Sequence, residues 1–127
     1  MVDLDNFKGV NDTHGHATGD QLLQLVAKRF RQSVRKYDIV ARLGGDEFLL
    51  LLPNTDTHAS KPVCNRLLHE LIQPYLIQGL TVTIGANIGI ASFPQDADNL
   101  TTLNQLADKA MYKAKSAGGG LYFHNNN

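Results

Sequence analysis

The chain has no tryptophan, one cysteine, four prolines and no excess of charge of either sign. Each scarcity excludes something. A lone Cys64 cannot form an internal disulfide, so nothing calls for an oxidising compartment. Beside Val63 and Leu67 in a helical pattern, its thiol reads as a small buried hydrophobe rather than a nucleophile. Lysine plus arginine equals aspartate plus glutamate at 12 each, which leaves no global field to attract nucleic acid. No apolar run approaches the ~20 residues of a membrane span, and no signal peptide precedes the first strand, so the chain reads as cytoplasmic. What is present, 127 residues with 43% hydrophobic and 19% charged, suits one globular domain with a real core.

The patterning alternates strands and helices. Met1 to Asp5 reads as the end of a strand, and Asn6 to Asp12 as a short helix. Gly15 and Gly19 mark a turn before a long helix over about Asp20 to Lys36, with Leu22, Val26, Phe30 and Val34 as its apolar stripe. Arg35 and Lys36 then suit the negative end of the helix dipole. Ile39 to Leu43 and Leu49 to Leu52, separated by Gly44-Gly45-Asp46-Glu47-Phe48, read as a β-hairpin. Thr57 or Ser60 is placed to cap a helix whose core face is Val63, Leu67, Leu68, Leu71 and Ile72, ending at Pro74. Leu80 to Phe93 is β-rich and interrupted by Gly85 and Gly89. A last helix spans about Thr101 to Ala117, followed by Gly118-Gly119-Gly120, a short strand Leu121 to Phe123 and a frayed tail from Asn125 to Asn127. The whole implies an α/β (α+β) sandwich around a mixed sheet.

The acids carry the chemistry. Asp3 and Asp5 are two apart and share a strand face. Asp3 together with Asp46, and Glu47 beside it, would hold a divalent ion if the first strand neighbours the hairpin. Magnesium takes few carboxylates plus phosphate oxygens, which suits phosphoryl or nucleotidyl transfer. Lys8 and Lys115 are candidates for the phosphates, with a solvated surface role as the alternative. Asn11 and Asp20, an amide and a carboxylate across a glycine-rich turn, have the groups to read a guanine edge, though spacing alone favours Asn11 ending one helix and Asp20 capping the next. His14 and His16 have no cysteine or third histidine near them, so zinc is not indicated.

Taken together, Asp3-Leu4-Asp5-Asn6-Phe7-Lys8, Asn11-Asp12, Gly15-His16, Gly19-Asp20, Ala41 to Phe48, Asn87 to Ala91 and Ala107 to Lys115 resemble the GGDEF domain of diguanylate cyclases over essentially the whole chain. The resemblance implies a palm-like nucleotidyl-cyclase fold with a five-stranded mixed sheet flanked by helices. It implies the condensation of two GTP into cyclic di-GMP and two pyrophosphates across a homodimer of such domains. It places Asp3, Asp46 and the Leu4 carbonyl on Mg2+ (or Mn2+). It puts Asn6, Phe7, Asn11, His16, Asp20, Gly44, Gly45 and Lys115 at the substrate, and Lys8 on the phosphates. Asp46 or Glu47 would activate the 3′-hydroxyl. Arg35 and Asp38 match the family's Arg-x-x-Asp motif and would bind cyclic di-GMP as inhibitor.

Two departures accompany it. The family's domain begins well upstream, so this chain is expected to lack an N-terminal segment and an attached sensor or regulatory domain. Gly119 stands where the family carries an arginine toward the triphosphate, which leaves a weak or inactive module that binds GTP or cyclic di-GMP as the competing reading. Asn87 replaces a small serine, with no expected consequence for the chemistry.

Overall fold

In a computed structural model, residues 1–124 are described; the tail expected from Asn125 to Asn127 lies outside them. The order of elements is β1 (Val2–Asp5), α1 (Phe7–His14), α2 (His16–Ser33), β2 (Ile39–Gly44), β3 (Glu47–Leu51), α3 (Thr57–Leu71), β4 (Tyr75–Ile77), β5 (Leu80–Val82), β6 (Gly85–Ile90), α4 (Leu100–Ser116) and β7 (Gly120–Phe123). Five strands form one mixed sheet in the order β2-β3-β1-β6-β7, antiparallel except for the parallel β6–β7 pair. β4 and β5 make a separate two-stranded sheet. No helix among the described residues is long and apolar enough to cross a membrane.

Strand alternation divides the molecule. Val2, Leu4, Phe48, Ala86 and Ile88 point to one face and join Phe7, Val10, Leu22, Val26, Phe30, Leu67 and Leu71 in the core under α1, α2 and α3. The other face carries α4. There Gly89 has no room for a side chain, because an added methyl would overlap the Ala107 carbonyl and the Met111 amide. Ala107, Ala110, Met111 and Ala114 are buried, as the helical spacing predicts. Cys64 is buried among apolar neighbours and its thiol is pushed up to about 11, chiefly by desolvation, so it is inert.

Several boundaries differ from the sequence expectation, each for a local reason. α2 begins at His16, and Gly19 lies inside it rather than in a turn; only Gly15, at φ 91°, breaks the chain there. The helix ends at Ser33 because the buried Asp38 carboxylate accepts from the Arg35 main-chain N–H at 2.7 Å. Val34 is thus extended, and Arg35 and Lys36 lie beyond the helix rather than in its last turn. α3 is capped by Asp56, which accepts from the Ala59 N–H, and not by Thr57 or Ser60. Thr57 instead meets the Ser92 hydroxyl, and Ser60 bonds back to the Thr57 carbonyl. Ile72, past the helix end, is exposed. The predicted strand from Leu80 is split between β5 and β6. Its partner β4 has no sequence signal, since Gln78-Gly79 supplies the two positive φ angles of the turn without the usual Asn-Gly. Arg29 stacks on Tyr75 and donates to the carbonyls of Glu70, Gln73 and Pro74, which satisfies the end of α3.

The Met1 ammonium donates to the Gly89 carbonyl at 2.9 Å and the Gly89 N–H returns to the Met1 carbonyl, so the ladder of β1 includes Met1. Beyond it β3 and β6 border an apolar cavity of about 680 Å³. Burial lowers the amino group from 8.0 to about 6. Between those values the unfolded chain holds more protons than the folded one, so stability rises with pH across that interval. With Met1 as a free amino terminus, urea unfolding is expected to give about 1.9 kcal/mol more stability at pH 8 than at pH 6, and N-terminal acetylation removes that increment.

Candidate functional site

The central position of β1 assembles the site. In register, Asp3 lies opposite Glu47 on β3 and opposite Asn87 on β6, and Asn87 in turn lies opposite Gly120 on β7. These residues form one row across the sheet on the α4 face. Asp5, opposite Gly85, shares that face, as its spacing from Asp3 predicts. Lys115 of α4 reaches down to Asp3, with Nζ 3.3 Å from Oδ2.

The hairpin tip is brought alongside. Arg42 and Gly44 flank a β-bulge, and Gly44 pairs with Glu47 around the two-residue turn Gly45-Asp46. Gly45 has φ 48°, the positive angle such a tight turn requires at its first central residue. The Arg42 guanidinium donates twice to the Gly45 carbonyl and holds the turn closed. Across the strands, the Leu4 N–H donates to the Asp46 carbonyl at 3.0 Å, which ties the tip to the strand carrying Asp3. Glu47 shares the row of Asp3, and Asp46 sits at the corner.

Electrostatics follow from this crowding. Asp3 is 6% exposed, and desolvation raises its carboxyl above the ordinary range. The Lys115 hydrogen bond opposes that shift, while the charges of Asp46 and Asp5 add to it. Lys115 is itself raised, first by the hydrogen bond to Asp3. The two partners therefore differ in how much the pair helps them. Burial decides for Asp3, whereas Lys115 is half exposed and its pairing is weakened by solvent. One ammonium under-compensates this group of acids. No three histidine, cysteine or acidic residues among the described ones are grouped as a complete metal cage. Hard oxygen donors in a partial set fit magnesium, which completes its shell with phosphate oxygens and water.

The remaining candidates are distributed around this row. Asn6 has a left-handed backbone at the start of α1, with its side chain lying over Gly9. Phe7 belongs to the core at 7% exposure, so at this position only the main chain is available to a ligand. The first N–H groups of α1 have no intrahelical acceptor and suit an anion, a feature residue types alone did not reveal. Lys8 is exposed on that helix. Asn11 is packed on Gly19, where a methyl would overlap its amide, so at the α1–α2 junction it lies against the residue that precedes the exposed Asp20. His16 is exposed in the first turn of α2. Arg35 and Asp38 stand apart, in the α2–β2 turn. Arg35 Nη2 is 3.0 Å from Asp38 Oδ1, Nε bonds Oδ2, and the guanidinium also meets Thr55 and the Pro53 carbonyl. Asp38 has no side-chain exposure. The large apolar cavity contains none of these residues; the acids and Lys115 lie toward the other end of β1.

Residues 1–120 match the family described as "Diguanylate cyclase, GGDEF domain". The chain belongs to the GGDEF family. Among its relatives is the bifunctional diguanylate cyclase/cyclic di-GMP phosphodiesterase MucR of Pseudomonas aeruginosa, 46% identical over 96% of this chain. The chain spans only 18% of MucR's length. Among solved structures, the GGDEF domain of YfiN from the same organism superposes with a TM-score of 0.91 at 39% identity, covering 99% of this chain and 80% of that one. The GGDEF domain of DgcB from Caulobacter crescentus, in complex with cyclic di-GMP, gives a TM-score of 0.88 at 25% identity, covering 98% and 75%. The expected GGDEF fold is thus observed, with its five-stranded mixed sheet.

The packing of Asn11 on Gly19 generates a test within this GGDEF domain. Gly19→Ala improves helix propensity by up to ~1 kcal/mol, yet it displaces the Asn11 amide. The Asn11 side-chain amide resonances are expected to shift in the nuclear magnetic resonance spectrum while the far-ultraviolet circular dichroism stays unchanged.

Proposed function

We propose that this domain is a diguanylate cyclase half-site that condenses two GTP into cyclic di-GMP across a homodimer. The reading is carried by one observation: Asp3, the Asp46 corner and Lys115 converge at the end of β1 beside the free N–H groups of α1. In each half-reaction the 3′-oxygen of one nucleotide bonds to the α-phosphorus of the other. The bond from that phosphorus to the bridging oxygen breaks, and pyrophosphate leaves with its electrons. The hydroxyl proton passes to a carboxylate, for which Asp46 and Glu47 are the candidates.

Asp3, Asp46 and the Leu4 carbonyl would hold Mg2+ or Mn2+, which when bound supplies charge stabilisation for the phosphates. Lys8 and Lys115 neutralise charge developing on the leaving pyrophosphate, with the α1 amides beside them. Lys115 must leave Asp3 to do so, because a cation and an ammonium compete for one carboxylate. Asn11 and Asp20 read guanine; adenine would meet the Asp20 carboxylate with an acceptor. His16 flanks the nucleotide. One domain supplies one nucleotide, so turnover depends on a second copy, brought together by regulatory segments of a longer protein.

Purified protein with GTP and Mg2+ is expected to form cyclic di-GMP at a rate that rises more than linearly with protein concentration, read by chromatography. Asp46→Ala should lower turnover by at least ~10³-fold; retained activity removes the metal and base assignment. A second reading, a module that binds cyclic di-GMP or GTP without turnover, is favoured by Gly119, which at φ 107° offers no side chain to the phosphates. Cyclic di-GMP binding without product formation would decide for it.

We also propose that Arg35 is the cyclic di-GMP inhibitory contact, its Nη1 being without a partner among the described residues. Arg35→Ala is expected to raise the inhibitory concentration about tenfold or more. The same change frees the buried Asp38, so melting temperature should fall as well. Arg35→Lys, which keeps charge but loses the fork, should also lose inhibition.

A further inference from the structure

Asn87 is the anomaly of the sheet. It is fully buried on β6, and neither its Oδ1 nor its Nδ2 has a hydrogen-bond partner among the described residues. An amide left so costs ~1–3 kcal/mol relative to an apolar side chain of the same shape. Its surroundings are narrow: Asp3 faces it on β1, Gly120 faces it on β7, and α4 covers it where Gly89, two residues on, touches Ala107 and Met111. The Oδ1 side lies toward Gly119, where an added Cβ would be 3.5 Å away. Asp3 is the cross-strand partner of Asn87 and the nearest acceptor in the row for its Nδ2. The buried Asp3 carboxylate has one side-chain hydrogen-bond partner among the described residues, Lys115 at 3.3 Å.

We infer that Asn87 is a positioning residue for Asp3, whose Nδ2 donates to the Asp3 carboxylate when Lys115 leaves it. With Lys115 in place, Asp3 is held by the ammonium and the amide waits unpaired. A divalent cation held by Asp3 would repel Lys115 and leave the Asp3 carboxylate to be oriented by the Asn87 amide. Carboxylates that ligate metals need such a second hydrogen bond to hold their orientation. Cross-strand partners with adjacent Cβ atoms are close enough for this with a small side-chain rotation. Gly119 and Gly120, next to it on β7, carry no side chain to block such a rotation. The inference rests on the reading of Asp3 as a cation ligand, and the unpaired amide is the cost of having the donor ready.

The test uses the 127-residue chain with 15N-labelled asparagine and two arms, neither of which measures turnover. In the first, without metal, Lys115→Met removes the ammonium, and the Asn87 side-chain amide resonances are expected to move as Nδ2 binds Asp3. Unmoved resonances overturn the inference, whatever the domain catalyses. In the second, Mg2+ affinity is measured by calorimetry. Asn87→Leu is expected to weaken it by about tenfold or more while melting temperature is unchanged or higher, and Asn87→Ser, with a hydroxyl donor, recovers part of the loss. Unchanged affinity in Asn87→Leu, or a fall in melting temperature without loss of affinity, makes Asn87 structural and overturns the inference. A wild-type chain that binds no Mg2+ removes the cation-site reading, and the first arm still decides whether Asn87 serves Asp3.

Discussion

Everything in this domain depends on the double pairing of a four-residue strand. β1 lies at the centre of the sheet, antiparallel to both β3 and β6. Its alternation does two jobs. Val2 and Leu4, each 1% exposed, anchor the core, while Asp3 and Asp5 are forced onto the opposite face. A one-residue slip would exchange these roles, burying acids among Leu22, Val26 and Phe30. The hydrophobic cost of that slip fixes the register, and the register sets Asp3 opposite Glu47 and Asn87.

The same constraint explains why the site is electrostatically unfinished. A carboxylate nearly excluded from water, flanked by Asp46 and Asp5, is compensated by a single half-exposed lysine. Such a site gains from a further cation and from an anion that draws Lys115 away. That imbalance is what the proposed cation and phosphate ligands would complete. Residues at functional sites commonly carry such local costs, and the unpaired Asn87 amide is another in the same row.

Arg35 and Asp38 illustrate how a motif can have two layers of meaning. Asp38 stops α2, accepts the Arg35 main-chain N–H and fixes the guanidinium toward the loop of Pro53 and Thr55. That geometry presents one edge of the guanidinium outward. The structural role at this turn is thus compatible with the proposed ligand role, because the contacts that fix Arg35 leave that edge free.

Much of this was legible in the sequence. The apolar spacing of Leu22, Val26 and Phe30, the glycine turn at the hairpin and the small-residue face of α4 each follow from local periodicity, and they appear as expected. The family match follows from local motifs as well. The start of α2 was not legible, because a glycine inside a helix looks like a turn until its reason, the Asn11 side chain packed against it, is seen. Nor was the end of α2, set by a carboxylate four residues beyond Val34, or β4, which has neither length nor turn signal. Single-chain patterning reports what each segment prefers, since propensity and periodicity act over neighbours in sequence. Which side chains meet is a matter of register and packing, so only the tertiary structure set Asn87 beside Asp3, Lys115 upon it and the Asp46 corner against Leu4.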